Sequence, residues 1–193
     1  MSVMLSCTSN INWFINTFDS SINEITNYLK DSMSSDALMN NSPYYLPYLT
    51  GERTPLNDPH VRASFHNMGI ETDRKTLVYS LIEGISFGLY DNYQALSKTG
   101  IKLNNLFVIG GGSKNKDWIK LLASILDRDL AITDASDAMA AYGAARLAYL
   151  GYNNLKHQDV LKSPSVKEII KKNNNTKSML QDRFVEWKKY YVN

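Results

Sequence analysis

Three consecutive glycines between an apolar segment and an amphipathic segment constrain this chain more than any other feature. The apolar residues 106–109 are typical of a buried strand, and glycines occupy 110–112, followed by Ser113. Apolar side chains then recur every three to four residues over about 115–127, which predicts a helix. Such a turn leaves backbone N–H groups uncovered at the positive end of the helix, where a phosphate or another anion binds favourably. The turn therefore predicts either a nucleotide site or a tight connection whose glycines serve packing.

The residues around the glycines exclude two common phosphate loops. Gly112, Ser113 and Lys114 stand in the wrong order for a Walker A loop, in which lysine directly follows the second glycine and precedes Ser or Thr. Asn115 stands where a dinucleotide-binding fingerprint would need its third glycine. The turn by itself therefore specifies no particular nucleotide.

Composition and charge argue against several classes of function. The chain has 193 residues, of which 44% are hydrophobic and 21% charged, as in an ordinary globular domain. A formal net charge of +2 is too small to argue for binding to nucleic acid or to an anionic membrane. No apolar run approaches the length of a membrane span. We therefore expect neither a nucleic-acid partner nor a membrane partner.

Cysteine and histidine are too sparse for a disulfide framework or a metal site. Cys7 is the only cysteine, so no internal disulfide can form, which agrees with a reducing compartment. The first residues lack the basic and apolar regions of a secretory signal, and we expect a cytoplasmic protein. His60, His66 and His157 lack metal-ligand spacing, so we expect no metal site in this chain.

Hydrophobic periodicity predicts one α/β domain with more helix than strand. The predicted helices cover about 10–30 (capped by Ser9), Thr72 or Asp73 to before Gly100, about 115–127, a segment starting near Ser136 and Asp137, and a final segment around Phe184 and Trp187. The predicted strands cover 44–49, 63–68, 106–109 and 130–133.

Small residues predict close packing at two helices. Gly84 and Gly88 lie inside the second predicted helix, where each costs about 1 kcal/mol relative to alanine, so we expect another backbone to approach them. The helix that starts near Ser136 is rich in alanine and contains Gly143. We expect it to pack tightly on a sheet or on the helix that contains Gly84 and Gly88.

Four segments together resemble the FGGY carbohydrate kinase family. Residues 48–59 are similar to the GERTP loop of its xylulokinase branch, and 83–89 look like the helix signature of the family. Residues 109–118 resemble its adenosine motif, and 142–145 resemble the LGAA segment that follows it. The segments occur in the family's order, and the resemblance extends over about residues 5–152.

The resemblance implies an α/β fold, namely the RNase H-like domain of the actin-like ATPase and sugar kinase superfamily. Residues 1–152 would form the second (C-terminal) kinase domain, and 153–193 a C-terminal helical extension of the same domain. The partner would be a missing N-terminal domain, which in this family carries the catalytic aspartate, most sugar contacts and the expected Mg²⁺ ligands. The resemblance leaves homodimer formation open.

The activity implied by the resemblance is ATP-dependent phosphorylation of D-xylulose to xylulose 5-phosphate, with ATP and sugar in the cleft between the two domains. This chain would supply the nucleotide-binding half and no catalytic residue, so we expect it to be inactive alone. The alternatives are the same half of a gluconate kinase or another FGGY sugar kinase, or a non-catalytic module that binds ATP or ADP.

The resemblance also implies a set of nucleotide-binding residues. Gly111 and Gly112, within the turn that includes Gly110 and Ser113, match glycines that lie against the α-phosphate and ribose. Either Asn115 or Lys116 matches a residue beside the adenine. Thr8 and Asn12 occupy positions that approach the terminal phosphate in related glycerol kinases.

Three further side chains receive structural interpretations. Arg53 in the GERTP loop is expected to support the loop through an ion pair with Glu52, Asp58 or another carboxylate, and its planar guanidinium could alternatively serve phosphate or interdomain contacts. Asp117 is an acidic residue in the first turn of a helix, and Trp118 is expected in the core rather than against an adenine ring.

Overall fold

The computed structural model describes residues 1–134 and 138–191. The helices are α1 (Ser9–Phe18), α2 (Ile22–Ser32), α3 (Asp36–Asn41), α4 (Arg74–Ser97), α5 (Lys116–Leu126), α6 (Met139–Tyr152), α7 (His157–Val160) and α8 (Lys177–Lys189). The strands are β1 (Tyr44–Leu46), β2 (Ser64–His66), β3 (Phe107–Val108), β4 (Leu130–Thr133) and β5 (Val166–Ile170).

The strands form two small sheets. β1 and β2 pair antiparallel, with Tyr45 opposite Phe65. In the second sheet β3 pairs parallel with β4, and β4 pairs antiparallel with β5. Among the described strands, β3 is at one edge of this sheet. The prediction of a mixed α/β domain with more helix than strand is therefore confirmed.

The long helix α4 is the centre of the larger apolar core. It begins with a capping box, in which Asp73 accepts from the backbone N–H of Thr76 and the Thr76 hydroxyl accepts from the backbone N–H of Asp73. Residues 78–88 are all buried, because α1, α2, α3, α5 and β1 pack around this helix. Of the two predicted caps for α4, the structure therefore selects Asp73.

Both glycines inside α4 lie at close contacts. A methyl group on Gly84 would overlap the carbonyl oxygen of Tyr45 in β1. A methyl group on Gly88 would lie 2.9 Å from the Cε of Met4. The predicted approach of another backbone is confirmed at Gly84, and the neighbour is the β1 strand.

The small-residue helix α6 does not supply that contact. None of its residues is buried, and a methyl group on Gly143 would have no heavy atom within 4 Å. The expectation that this helix packs tightly on a sheet or on α4 is wrong for the described residues, because no element among them covers its small side chains. Its predicted start at Ser136 and Asp137 lies outside the described residues.

The predicted helix over 10–30 is two helices. Asp19 has a φ of 48°, in the left-handed region, and it ends α1. Ser21 then caps α2 by accepting from the backbone N–H of Glu24. Ser9 lies inside α1, and Thr8 precedes that helix without a side-chain cap. Residues of both helices and of the glycine turn line one concave surface.

The residues after 152 include a strand as well as helices. The sequence predicted a helical extension here, and α8 is that predicted aromatic helix, with Leu180, Phe184 and Trp187 buried. The strand β5 was not predicted, and it joins the sheet beside β4. In the described part of the chain, no helix has the length and apolar character needed to cross a membrane.

Candidate functional site

The glycine turn leads directly from β3 to α5. Gly110 has a φ of 89°, which favours glycine, and residues 111–114 form one 3-10 turn. The Ser113 hydroxyl donates to the carbonyl oxygen of Gly110 at 2.7 Å. Asn115 caps α5 by accepting from the backbone N–H of Trp118 at 3.0 Å. The turn is therefore held by its own side chains at the positive end of α5.

Gly111 and Gly112 differ in what surrounds them. A methyl group on Gly112 would lie 2.8 Å from the ring of Trp118, so this glycine admits the indole. Trp118 is 5% exposed and donates through Nε1 to the Ser86 hydroxyl at 3.0 Å, which confirms its predicted place in the core. A methyl group on Gly111 would have no heavy atom within 4 Å. Packing within the described chain therefore gives no reason for glycine at position 111.

A pocket of about 410 Å³ lies beside the turn. It brings together five of the residues singled out in the sequence: Thr8, Asn12, Gly111, Gly112 and Asn115. Its apolar lining comes from four isoleucines and a tryptophan, and two polar side chains complete it: Ile11, Ile22, Ile25, Ile82, Trp118, Thr26 and Lys114. The pocket thus combines apolar walls with exposed backbone and a lysine.

The pocket separates two residues that the sequence left as alternatives. Asn115 lines the pocket, and its Nδ2 lies 3.4 Å from the Thr26 hydroxyl oxygen. The ammonium of Lys116 instead pairs with Glu168 at 2.7 Å, and the Lys116 side chain is 60% exposed. Lys116 does not line the pocket, and the place of either residue beside an adenine stays a prediction.

Gly110 and Ser113 line a second groove of about 480 Å³, which shares Thr8, Gly111, Gly112 and Trp118 with the first pocket. This groove follows β3 and is mainly apolar, with walls that include Leu89, Tyr93, Phe107, Leu122 and Leu126. Cys7 also lines it, and burial raises the pKa of the Cys7 thiol to about 11. A thiol with that pKa is protonated at neutral pH and is a poor nucleophile.

The GERTP loop does not line the glycine-turn pocket. Arg53 is exposed, and its guanidinium forms no ion pair with the residues that the structure describes. The predicted ion pair with Glu52 or Asp58 is therefore wrong, because Glu52 accepts from backbone N–H groups instead. Glu52 and Asp58 are joined through their backbones, with both N···O distances at 2.9 Å. A phosphate or interdomain contact of Arg53 stays a prediction.

The other polar residues singled out in the sequence contact neighbouring side chains of the chain. Asp117 lies in the first turn of α5 and pairs with Lys120 at 3.1 Å. His66 stacks on the ring of Tyr190, at 4.3 Å between centroids. Within residues 1–134 and 138–191, no three His, Cys, Asp or Glu side chains converge as a group that could hold a metal ion.

Sequence reasoning missed the wall that α2 contributes to the pocket. Ile22, Ile25 and Thr26 line it, whereas the sequence predicts one uninterrupted helix over about 10–30. A signal was present, because Ser21 and Glu24 have the spacing of a capping box. That spacing could have indicated a second helix starting at residue 22.

Comparison with known proteins places this geometry in a family. The model of the FGGY family of carbohydrate kinases, C-terminal domain, matches residues 1–152. The xylulose kinase of Staphylococcus xylosus is 34% identical over 151 residues, which are 78% of this chain and 31% of that protein. The chain therefore spans about a third of the length of such relatives.

The fold described above is similar to the folds of solved kinase structures. A crystal structure of a xyloylose kinase from Brucella ovis has a TM-score of 0.86 and 30% identity, and the match covers 99% of this chain and 39% of that one. A gluconate kinase from Lactobacillus acidophilus has a TM-score of 0.75 and 25% identity, with coverage of 95% and 37%. The expected actin-like ATPase fold class is confirmed by these likenesses. The chain belongs to the FGGY family of carbohydrate kinases, and residues 1–152 form the C-terminal domain of that family.

Proposed function

We propose that this chain is the nucleotide-binding C-terminal half of an ATP-dependent sugar kinase that phosphorylates D-xylulose. The observation that carries the proposal is Gly111, which lines the pocket of about 410 Å³ although no neighbouring atom requires a glycine there. A bare backbone at this point allows a phosphate or ribose to approach the N–H groups of the turn.

The pocket lining suits the parts of an adenine nucleotide. The isoleucine walls from α1 and α2 offer apolar surface to the faces of a purine. Asn115 offers an amide N–H to the edge of the base, while its oxygen caps α5. The turn at the positive end of α5 favours the phosphates.

In the proposed reaction the rest of the kinase supplies the catalytic groups. A carboxylate of the N-terminal part accepts the proton of a sugar hydroxyl, and the hydroxyl oxygen attacks the γ-phosphorus of ATP. The bond between that phosphorus and the β–γ bridging oxygen breaks, and ADP leaves. A bound Mg²⁺ would neutralise charge on the phosphates. Closure of the two halves would exclude water and so limit hydrolysis of ATP.

Uncovered apolar surface supports a role within a longer protein. Phe107 and Ile109 beside the open edge of the sheet are 37% and 52% exposed, and Leu147 and Tyr152 of α6 are 60% and 90% exposed. Large apolar side chains that stay exposed in groups mark interaction sites. We propose that the remaining length of the kinase covers this surface.

Calorimetric titration of ATP into this chain tests the nucleotide site. The change Gly111→Leu fills the pocket without backbone strain, since only Gly51, Gly100 and Gly110 among the described glycines have positive φ. The matched control is Gly143→Leu, on an exposed glycine of α6 that also has no atom within 4 Å of its added carbon. We expect Gly111→Leu to weaken binding at least about tenfold, or about 1.4 kcal/mol, and the control to leave it unchanged. A folded wild-type chain that binds neither ATP nor ADP at millimolar concentration would contradict the proposal.

Activity measurements test the rest of the proposal. The chain alone is expected to produce no ADP in the presence of D-xylulose, and robust sugar-dependent ADP production would contradict the need for the N-terminal half. A gluconate kinase is the second candidate, because a gluconate kinase of known structure covers 95% of this chain with a TM-score of 0.75. Comparing kcat/KM for xylulose and gluconate on the kinase with both halves present discriminates the two.

A further inference from the structure

The N-terminal segment lies along the GERTP loop. The backbone N–H of Thr54 donates to the carbonyl oxygen of Val3 at 3.2 Å, and the Val3 N–H donates to the Thr54 hydroxyl at 3.2 Å. Further along, the hydroxyl groups of Ser6 and Thr50 are 2.8 Å apart. Residues 3–6 therefore run antiparallel to residues 50–54.

Glu52 lies at the centre of this contact. The residue is 3% exposed, and its Oε1 accepts from the backbone N–H groups of Leu5 at 3.2 Å and Arg53 at 2.6 Å. Its Oε2 is buried and has no hydrogen-bond partner among the described residues. The hydrogen bonds between Glu52 and Asp58 already fix the loop backbone. The carboxylate is thus the group that ties the N-terminal segment to the loop at its midpoint.

The tied segment leads directly to the nucleotide pocket. Thr8 follows Ser6 by two residues, precedes α1 and lines the pocket, although its own side chain makes no capping bond. After Thr8 in the chain, the buried Asn10 side-chain amide donates to the carbonyl oxygen of Ser6 at 2.7 Å and to that of Cys7 at 3.2 Å. The place of Thr8 therefore depends on how residues 5–7 are held.

We propose that Glu52 is a positioning residue for the nucleotide pocket: by holding Leu5 it sets where Thr8 stands against the glycine turn. The inference rests on the proposed function, since it concerns the same pocket. A buried carboxylate without a cation is costly. The two backbone N–H groups that donate to the Glu52 carboxylate hold it in place. One of them belongs to Leu5, which lies three residues before Thr8, a residue that lines the pocket.

Three variants of the chain test this role. Glu52→Ala removes the acceptor, Glu52→Gln keeps an oxygen in the place of Oε1, and Trp187→Phe is the control for general destabilisation. The control loses a buried hydrogen bond from the Trp187 indole to the Tyr45 carbonyl oxygen, at 2.7 Å, and Trp187 does not line the pocket. ATP affinity is measured by calorimetry at a temperature where circular dichroism shows every variant folded.

We expect Glu52→Ala to weaken ATP binding about tenfold, because small displacements of positioned groups have large effects. Glu52→Gln is expected to retain affinity within about twofold, since one hydrogen bond to Leu5 remains. Trp187→Phe is expected to melt at a lower temperature yet bind ATP as the wild type does. Amide hydrogen exchange should become faster at Leu5 in the Ala variant only.

Two results would overturn the inference separately from the proposed function. If wild type binds ATP and folded Glu52→Ala binds equally well, Glu52 has no positioning role. If Glu52→Ala does not fold, Glu52→Asp takes its place, because the shorter side chain draws the carboxylate away from the backbone N–H of Leu5. We expect that variant to lose about threefold in affinity, the effect of one hydrogen bond, and unchanged affinity would overturn the inference. A folded wild type without ATP binding would overturn the proposed function and this inference together.

Discussion

Replacing Arg183 by methionine removes a buried cation that joins α8 to α4. The Arg183 side chain is 4% exposed, and its guanidinium donates to the two carboxylate oxygens of Glu83 at 2.7 and 2.6 Å. It also lies 4.5 Å from the centroid of the Tyr44 ring. The same guanidinium donates to three backbone carbonyl oxygens, that of Asn40 at the end of α3 and those of Ser42 and Pro43 before β1.

The expected cost follows from what the change leaves behind. The Glu83 side chain is 1% exposed, and without Arg183 its carboxylate would keep one described side-chain partner, the Tyr79 hydroxyl at 3.0 Å. Burial disfavours the charge on Arg183, but the adjacent Glu83 carboxylate more than offsets this and the pKa of Arg183 is raised. Breaking such a buried pair costs about 3–5 kcal/mol. That is a large share of the roughly 5–15 kcal/mol that stabilises a domain.

Urea denaturation followed by circular dichroism measures this cost. With a slope of about 2–3 kcal/mol per molar urea, Arg183→Met should lower the midpoint by about 1–2 M. The double variant Glu83→Leu/Arg183→Met removes both charges and should lose less free energy of unfolding than Arg183→Met alone. A loss below about 1 kcal/mol for Arg183→Met, or strictly additive losses in the double variant, would refute the reasoning.

Three other changes follow from contacts described above. Gly84→Ala should lower the free energy of unfolding by about 1–3 kcal/mol in thermal denaturation, because its methyl group overlaps the Tyr45 carbonyl oxygen, and Gly143→Ala is the matched, neutral or stabilising control. Burial raises the pKa of the Glu52 carboxyl above its value in the unfolded chain. The protonated carboxyl therefore contributes stability at pH values below the unfolded pKa, and this contribution is lost as pH rises through the folded pKa. Glu52→Gln should therefore gain stability relative to wild type as pH rises above about 4.3, the ordinary pKa of a glutamate in the unfolded chain, in urea titrations, and a constant difference would contradict this. Lys116→Ala should leave calorimetric ATP affinity unchanged, because the ammonium pairs outside the pocket.

Local patterns were sufficient to predict the centre of the candidate site. The glycine turn, the helix α5 after it and the buried Trp118 all follow from residues close together in the chain. The capping box that starts α4 is likewise local, since Asp73 and Thr76 are three residues apart. Where the interactions that form a feature lie within one or two helical turns, the local sequence pattern is enough to predict that feature.

The wall of the pocket and the anchoring of α8 depend on contacts distant in sequence. Ile22 and Thr26 line the pocket because a left-handed residue, Asp19, ends α1, and nothing in an apolar periodicity indicates that conformation. Arg183 and Glu83 are separated by 100 positions, so neither predicts the other. The prediction of tight packing for α6 was wrong because small side chains show that another element can pack closely on a helix, but do not show which element does so.

The open edge of β3 has a practical consequence for work with the isolated chain. Among the described strands β3 lies at the edge of its sheet, Phe107 and Ile109 are partly exposed there, and neither a proline nor a charged side chain interrupts residues 106–109. An apolar edge without such protection is a template on which another copy can add its own strand. The weight-average mass that light scattering gives for the purified chain should therefore rise with protein concentration. Titrations of this chain belong at low concentration, where strand-on-strand aggregation cannot imitate or mask ligand binding.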